Sequence, residues 1–113
     1  MPLPDFITAL AGLEVPFSDD VVDIHALRSD EGLVVFFHFL QDFTLPEHSH
    51  KAQWGTVLAG CAVLTIGGVT RSYGPGESYD IPSGVLHGGA LKAGTRVIDV
   101  FEEPDRYPLR RDA

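Results

Sequence analysis

The sequence predicts an all-β protein with a small closed architecture, either a barrel or a sandwich. Short apolar runs of roughly five to eight residues follow one another, and turn-forming residues separate them about every ten positions. No segment carries the period of a long amphipathic helix. The 113 residues are enough for one domain, and a hydrophobic fraction of 44% with seven Phe supplies a core.

The first part of the chain is predicted to form an arm followed by two strands. Residues 2–18 contain early prolines and a short apolar run, which favours one helical turn at most and then an extended arm. Residues 21–28 are β-branched and apolar and predict a strand, and turn residues at 29–32 lead into a strand at 33–40. Because this second run is apolar at nearly every position, we expect it to be buried on both faces.

Five further strands are predicted at residues 53–59, 61–66, 69–73, 78–81 and 95–101. Gly67-Gly68 is typical of a hairpin turn, and Pro82-Ser83-Gly84 predicts a turn that directs the following His87 inward. These elements divide a single domain, residues 1–113, into an N-terminal arm, a β-barrel and a C-terminal tail, at residues 1–18, 19–101 and 102–113.

The composition disfavours several classes of function. The net charge is −8, from eight Lys and Arg against sixteen Asp and Glu, and this balance repels nucleic acid and anionic lipid. No apolar run reaches the roughly eighteen residues of a membrane span, and the N-terminus lacks the pattern of a signal peptide. The single cysteine, Cys61, fits a reducing compartment. We therefore expect a cytoplasmic protein with no nucleic-acid or membrane partner.

Three histidines and a glutamine are candidate metal ligands. His48 and His50 are separated by one residue, so an extended backbone directs both imidazoles to one face. His87 on another strand could complete the set, and Gln53 could add an amide oxygen. Such ligands suit one divalent transition metal (Fe, Mn, Ni or Zn) that keeps open coordination positions. A bare H-x-H pair is more often a solvated loop, so the distant His87 carries much of this interpretation.

The same residues resemble the two sequence motifs of the cupin superfamily. The second motif, G-x5-P-x-G-x2-H-x3-N, matches from Gly76 to His87, with Leu91 in place of its final Asn. The first, G-x5-H-x-H-x3,4-E-x6-G, keeps its two His and its last Gly, at His48, His50 and Gly60. Asp42 replaces its opening Gly and Gln53 its Glu. The resemblance implies a small single-domain cupin-2 type protein with a double-stranded β-helix, or jelly-roll, barrel.

The glutamine has an electrostatic consequence. A metal-bound Glu would leave a divalent site with a local charge near +1, whereas Gln53 leaves it near +2. Such a site should hold metal less tightly and favour an anionic ligand such as a carboxylate or an enolate. The alternative is that Gln53 hydrogen-bonds a water or a neighbouring histidine and does not touch the metal.

Asp99 lies inside the apolar run of residues 97–101, so it either faces solvent or faces inward with a partner. Asp99, Phe101 and Arg106 resemble an Asp-x-Phe and following Arg in the small cupins that linearise 4,5-unsaturated uronates in pectin and alginate breakdown. The resemblance implies a catalytic role for Asp99 and substrate-binding roles for Phe101 and Arg106. Arg106 stands one residue further out than in that group, and Gly55 stands where the group has a second Gln.

These observations predict a metal-dependent enzyme that isomerises, tautomerises or eliminates from a small anionic sugar acid or keto acid. Two alternatives stay open: a non-haem iron dioxygenase, and a non-catalytic module that binds a small molecule. The apolar arm at residues 6–17 and the apolar strand at 33–40 present more hydrophobic surface than one small barrel can cover, so we also expect a homodimer.

Overall fold

The computed structural model describes residues 3–15 and 17–110 of the chain, and residues 1, 2, 16 and 111–113 lie outside this description. Within the described residues, one short helix precedes nine strands. The helix is α1 (Asp5–Thr8), and the strands are β1 (Val22–Ser29), β2 (Gly32–Phe39), β3 (Phe43–His48), β4 (Gln53–Ala59), β5 (Ala62–Ile66), β6 (Val69–Tyr73), β7 (Ser78–Ile81), β8 (His87–Leu91) and β9 (Arg96–Phe101).

The strands form two antiparallel sheets. One sheet has five strands in the order β1-β2-β9-β4-β7, and the other has four in the order β3-β8-β5-β6. Strands distant in sequence are neighbours, as β9 between β2 and β4 shows, and this is the connectivity of a jelly roll. The predicted all-β jelly-roll fold is confirmed.

Strand β2 shows how the core forms. Its residues alternate strictly between buried and half-buried positions, with Leu33, Val35, Phe37 and Phe39 facing the core. The expectation that this strand is buried on both faces was therefore wrong. Its other face lies on the outside of the five-stranded sheet, where among the described residues no helix covers it, and Val34, Phe36 and His38 are half-buried there.

Strand β8 was recognised in the sequence only as the carrier of His87. It contains Gly88 and Gly89, which are poor strand formers. A Cβ on Gly88 would lie 2.8 Å from the Leu45 carbonyl oxygen, and one on Gly89 would lie 2.2 Å from the Val63 carbonyl oxygen. The two glycines allow β8 to run close between β3 and β5, and β8 places His87 opposite His48.

The arm follows the predicted single helical turn, but much of it packs on its own barrel. Leu13 is fully buried and forms an isolated bridge with Leu109 of the tail. Val15 and Phe17 pack against the core, whereas Phe6 is 76% exposed. The arm therefore contributes less uncovered apolar surface than the sequence suggested. Within residues 3–15 and 17–110, no helix is long and apolar enough to cross a membrane.

Candidate metal centre

His48 and His50 come together at the end of β3. A register irregularity between Leu45 and His48 bends the strand just before the motif, and His48 then pairs with His87 of β8. His50 follows in the connection to β4, and its ring centroid lies 5.2 Å from that of His48. The predicted convergence of these two imidazoles is thus observed.

The loop before β8 brings in the third histidine. Gly84 has φ +80, a left-handed conformation that favours glycine, and its N–H donates to the His50 carbonyl oxygen at 2.8 Å. This bond ties the loop of the second motif to the first motif. The His87 ring centroid then lies 4.3 Å from that of His48 and 4.7 Å from that of His50.

The hydrogen bonds of the three rings determine which nitrogens are free. Each Nδ1 lies close to a backbone carbonyl oxygen: His48 to Pro46 at 2.8 Å, His50 to Lys51 at 2.7 Å, and His87 to Val85 at 2.9 Å. A carbonyl only accepts, so each Nδ1 carries the proton and each neutral ring has its lone pair on Nε2. The Nε2 atoms of His50 and His87 are buried and have no hydrogen-bond partner in the described part of the chain.

These three imidazoles fit a metal ion. One ring nitrogen from each lies within 4.8 Å of the other two, and this is the one such group of three or more potential His, Cys, Asp or Glu ligands within residues 3–15 and 17–110. Burial lowers the pKa of His50 and His87, and the positive charge of Arg106 lowers it further. Neutral rings with unpaired, buried lone pairs and backbone-anchored Nδ1 atoms are what a metal requires of histidine.

Gln53 and Asp99 adjoin this group. Gln53 opens β4, half-buried, and lines the same cavity as the three histidines. Its side chain hydrogen-bonds to Asp99. Because an ionised carboxylate only accepts, the Gln53 amide NH2 is the donor and its Oε1 stays available for another partner. Whether that partner is a metal stays a prediction.

Asp99 faces inward and lies on the cavity wall, 5% exposed. The Tyr79 hydroxyl donates to its Oδ1 at 2.6 Å. Burial raises the pKa of Asp99 to about 6, while the hydrogen bonds from Tyr79 and Gln53 act in the opposite direction. Burial and the neighbouring Asp99 also hold the pKa of Tyr79 well above its usual value, so the phenol stays protonated.

The sequence analysis missed Tyr79 and the reason for Gly55. A Cβ on Gly55 would lie 2.2 Å from Asp99 Oδ1 and 2.3 Å from Tyr79 Cζ, so only glycine leaves room for their hydrogen bond. Two signals were present in the sequence. Tyr79 is two residues before the core residue Ile81 on one strand, and Gly55 interrupts a strand, which often marks a close approach.

Phe101 and Arg106 adjoin the histidines, at the point where the chain runs from β9 into the C-terminal segment. The buried Phe101 ring is 5.7 Å from the His50 ring and packs edge-on against Tyr107. The Arg106 guanidinium lies over the Tyr107 ring, 4.5 Å from its centroid. Within residues 3–15 and 17–110, its buried Nε has no hydrogen-bond partner, and the residue shares a surface hollow with His48. A donor without an acceptor beside the histidines is suited to an anion.

Two other histidines, His25 and His38, lie outside this group. The His25 Nδ1 donates to the Leu10 carbonyl oxygen at 3.0 Å, and its Nε2 lies 3.3 Å from an Asp23 carboxylate oxygen. His38 is half-buried on the outer face of the five-stranded sheet, where burial lowers its pKa.

Comparison with solved structures places the fold among known proteins. KdgF from Halomonas sp. is 26% identical, with a TM-score of 0.63, over 80% of this chain and 79% of that one. An RmlC-like cupin from Shewanella frigidimarina is 24% identical, with a TM-score of 0.70, over 90% and 87%. Bacillus subtilis oxalate decarboxylase is 20% identical, with a TM-score of 0.64, over 86% of this chain and 31% of that one. No curated protein sequence matches the chain.

The family follows from a match to a domain family. Residues 35–101, which are more than half of the chain, match the cupin domain family Cupin_2. This range includes all three histidines of the candidate metal centre together with Gln53, Tyr79 and Asp99. The chain belongs to the Cupin_2 family of cupin domains.

Proposed function

We propose that this protein is a metal-dependent enzyme that moves a proton within a small anionic substrate. One observation carries the proposal: three histidine lone pairs converge in the same cavity as a buried, inward-facing aspartate. His48, His50 and His87, with Gln53 as a fourth candidate, would hold one divalent ion of Fe, Mn, Ni or Zn. Such an ion supplies Lewis acidity, which polarises a substrate oxygen and stabilises charge that develops on it.

Asp99 is the group on this chain best placed to move the proton. Its Oδ1 accepts the Tyr79 hydrogen bond, which fixes the orientation of the carboxylate. Its other oxygen can take a proton from one atom of the substrate and return it to another. Because the proton goes back to the same molecule, an isomerisation or tautomerisation needs no further reactant. An elimination uses the same first step, followed by departure of a leaving group.

Arg106 and Phe101 would hold the substrate. The buried Arg106 Nε is a donor without an acceptor among the residues that the structure describes, and a substrate carboxylate would satisfy it. Phe101 forms an apolar wall beside His50. Three neutral imidazoles and a neutral Gln53 leave the charge of a divalent ion uncompensated, so the centre would be positive within a chain of net charge −8. This favours an anionic substrate. The similarity to KdgF supports, loosely, the resemblance to the uronate-linearising cupins.

The first experiment tests the metal centre. Purified protein is analysed for bound elements, and its affinity for Zn²⁺ and Mn²⁺ is measured by competition with a chelator. We expect His50→Ala and His87→Ala to weaken metal binding by more than the roughly 10–100-fold that loss of a supporting hydrogen bond costs. His38→Ala, on the outer face, is the matched control and should change nothing. Equal affinities in all four proteins would contradict the proposal.

The second experiment tests the chemistry. Metal-loaded protein is incubated with keto acids and sugar acids in D₂O, and exchange of substrate protons is followed by NMR. Asp99→Asn keeps the shape and the acceptor for Tyr79, so it should retain acid binding and lose exchange. Exchange that survives in Asp99→Asn would exclude Asp99 as the proton carrier.

The runner-up function is a non-haem iron dioxygenase. It is favoured by the three-histidine set, which leaves positions open for both O₂ and substrate when iron is bound. Oxygen consumption by the iron-loaded protein separates the two functions: uptake coupled to loss of substrate supports the dioxygenase, and proton exchange without uptake supports the proposal above. A metal-loaded protein that binds acids and does neither would be the non-catalytic binding module.

We also propose a homodimer formed through the outer face of the five-stranded sheet. A straight apolar row crosses four of its strands, and cross-strand pairing aligns its members: Leu27, Val34, Val100 and Trp54. Leu27 is 57% exposed and Trp54 is 43% exposed. The adjacent row, His25, Phe36, Ile98 and Thr56, contains no carboxylate on these four strands, and the exposed Asp80 of β7 continues the first row at the edge of the sheet.

The occupant we assign to this face is a second copy of the chain. Two molecules of net charge −8 can meet here without opposing carboxylates in the middle of the contact. The face measures roughly 20–25 Å in each direction, from strand spacing and rise per residue, so its area of about 400–600 Å² is at the lower limit of ~600 Å² per partner for a specific interface. The cytoplasmic location and the absence of nucleic-acid partners stay predictions.

A further inference from the structure

The cavity next to the histidines separates polar from apolar side chains. Nearly all of the polar lining groups are the histidines and their neighbours, Gln53, Asp99 and Tyr79. The far part of the cavity is lined by four phenylalanines, which we call the aromatic wall: Phe17, Phe37, Phe39 and Phe43. Leu64 and Leu91 line the cavity beside the wall.

The aromatic wall is one continuous group of rings. The centroids of Phe37 and Phe39 are 5.8 Å apart, those of Phe39 and Phe43 are 5.5 Å apart, and those of Phe17 and Phe43 are 4.9 Å apart with the rings edge to face. The Phe37–Phe39 pair is stacked, the Phe39–Phe43 pair is tilted and the Phe17–Phe43 pair is edge to face. Stacked and edge-to-face pairs at such distances are arrangements that aromatic rings prefer, and a further ring can join them.

Strand pairing shows that the wall and the metal centre are at opposite ends of the same strands. Phe43 pairs with Leu91, and His48 pairs with His87. The two pairs are four or five residues apart along these strands, which corresponds to roughly 13–16 Å of backbone. A substrate held by its charged end at the histidines would therefore extend its body towards the aromatic wall.

This arrangement discriminates between the two substrate classes that the sequence left open. A sugar acid carries hydroxyl groups along its body, and the aromatic wall offers them no donor or acceptor. Each hydroxyl buried without a partner should weaken binding by roughly tenfold to a hundredfold. An aromatic or branched aliphatic body would instead gain from contact with the wall.

We infer that the substrate is a compact keto acid, hydroxy acid or enol with an aromatic or branched aliphatic body, and not a polyhydroxylated sugar acid. This inference rests on the proposed function, because it takes the histidines and Arg106 as the anchor for the charged end. It adds that the aromatic wall sets specificity for the uncharged end.

The test compares three acids of equal charge on Zn²⁺-loaded protein by isothermal titration calorimetry: phenylpyruvate, pyruvate and galacturonate. Phenylpyruvate should bind at least about tenfold more tightly than pyruvate, because its ring can pack in the apolar part of the cavity. Galacturonate should bind more weakly than phenylpyruvate by at least about a hundredfold. Metal-free protein should bind all three more weakly.

Substitutions in the aromatic wall test whether its rings cause the preference for phenylpyruvate. Phe43→Leu keeps the wall apolar but removes a ring, so it should weaken phenylpyruvate roughly threefold or more and leave pyruvate unchanged. Phe17→Leu gives a second, half-buried position in case the first variant folds poorly. Phe6→Leu is the matched control, since Phe6 is 76% exposed and should affect neither acid.

The possible results distinguish an error in the substrate class from an error in the proposed function. If galacturonate binds as tightly as phenylpyruvate in a metal-dependent manner, the substrate class is overturned and the metal-dependent acid site stands. If Phe43→Leu and Phe17→Leu weaken the binding of pyruvate as much as that of phenylpyruvate, the aromatic wall does not select the uncharged part of the substrate and the inference fails. If no acid binds in the presence of metal, the proposed function fails and takes this inference with it.

Discussion

Tyr79 donates a hydrogen bond of 2.6 Å to the Oδ1 of Asp99, between two buried side chains on different strands of one sheet. Strand β4 separates their strands, and Gly55 of β4 leaves the space through which the bond passes. The bond both orients the carboxylate and stabilises its ionised form. The cavity thus contains a carboxylate that is buried from water but held by a hydrogen bond, as proton transfer requires.

Removal of the phenol should therefore destabilise the protein in a pH-dependent way. We expect Tyr79→Phe to lower the free energy of unfolding by about 1–3 kcal/mol at pH 7.5, because it leaves a buried carboxylate with one donor fewer. At pH 4, where Asp99 is protonated, the loss should be smaller. Urea unfolding at the two pH values measures both.

Tyr73→Phe is the matched control for Tyr79→Phe. Its ring packs edge-on against Tyr79 at 5.4 Å, and the substitution removes a neighbouring hydroxyl while the bond to Asp99 stays intact. If both substitutions lower the free energy of unfolding by the same amount at both pH values, the hydrogen bond to Asp99 has no special role.

Gly55 should tolerate no side chain. In Gly55→Ala the new methyl would meet both Asp99 and Tyr79 well inside contact distance, so we expect a loss of about 1–3 kcal/mol in the free energy of unfolding, together with a disturbed Asp99. Gly74→Ala is the control, since a Cβ there meets nothing nearer than 3.7 Å. Thermal and urea unfolding of both variants measure this loss. A neutral Gly55→Ala would show that the three residues are not closely packed.

Asp99 should make the stability of the metal-free protein depend on pH. Its pKa is 3.8 in the unfolded chain and about 6 in the folded protein, so between these values the folded state holds a proton that the unfolded state has released. The stability contribution is complete below pH ~4 and is lost as the pH rises through about 6. The difference amounts to roughly 3 kcal/mol.

Asp99→Asn removes this titration. Relative to the wild type, the variant should gain roughly 3 kcal/mol in the free energy of unfolding between pH 4 and pH 7.5, measured by urea unfolding in the presence of a chelator. The other titrating groups are shared by both proteins and cancel in the comparison. Parallel pH profiles would mean that Asp99 is not desolvated in solution.

The outer-face dimer can be tested at an exposed residue far from the cavity. Leu27→Glu places a carboxylate in the apolar row and should convert a dimer into a 12.3 kDa monomer by light scattering at micromolar concentration. Val69 is also exposed and lies on the other sheet, so Val69→Glu should leave the dimer intact. Trp54 is the single tryptophan and lies in the apolar row, so its emission should shift on dilution. A wild-type monomer would refute the proposal.

Much of the fold and of the histidine cluster could be read from the sequence, because both depend on local patterns. Alternating strands, glycine turns and the spacing from Gly76 to His87 are contiguous features. The side-chain direction of Asp99 could not be read, since it depends on pairing with Gly55, which is distant in sequence. Strand β8 was not predicted because it contains two glycines, which are present because the neighbouring backbones leave no room for a Cβ.

The packing of the arm could not be predicted for a similar reason. Leu13 is held by the tail, since it pairs with Leu109 almost a whole chain length away. An apolar arm in a sequence looks the same whether it covers its own barrel or a partner. The aromatic wall was equally hidden, because Phe17, Phe39 and Phe43 come from separate elements and meet only in the folded molecule.

Gln53 connects the metal centre to Asp99, so its replacement by glutamate tests two interactions at once. If the amide oxygen is a ligand, Gln53→Glu adds a full negative charge at bonding distance and should tighten Zn²⁺ binding, measured by competition with a chelator. It should also weaken inhibition or binding by a simple carboxylate, because the centre becomes less positive. Gln53→Ala should mainly loosen the metal.

The contact with Asp99 adds a second, independent expectation for the same variant. Gln53 now donates to the Asp99 carboxylate, and a glutamate there would place two buried carboxyl groups together, of which only one can readily ionise. The metal-free Gln53→Glu protein should therefore lose stability above pH ~6, and bound Zn²⁺ should restore it by neutralising the pair. Tighter metal binding with that rescue would establish Gln53 as a ligand that also supports Asp99. Loss of stability at high pH without tighter metal binding would leave Gln53 with its hydrogen bond to Asp99 alone, and the ligands of the ion would then be the three histidines.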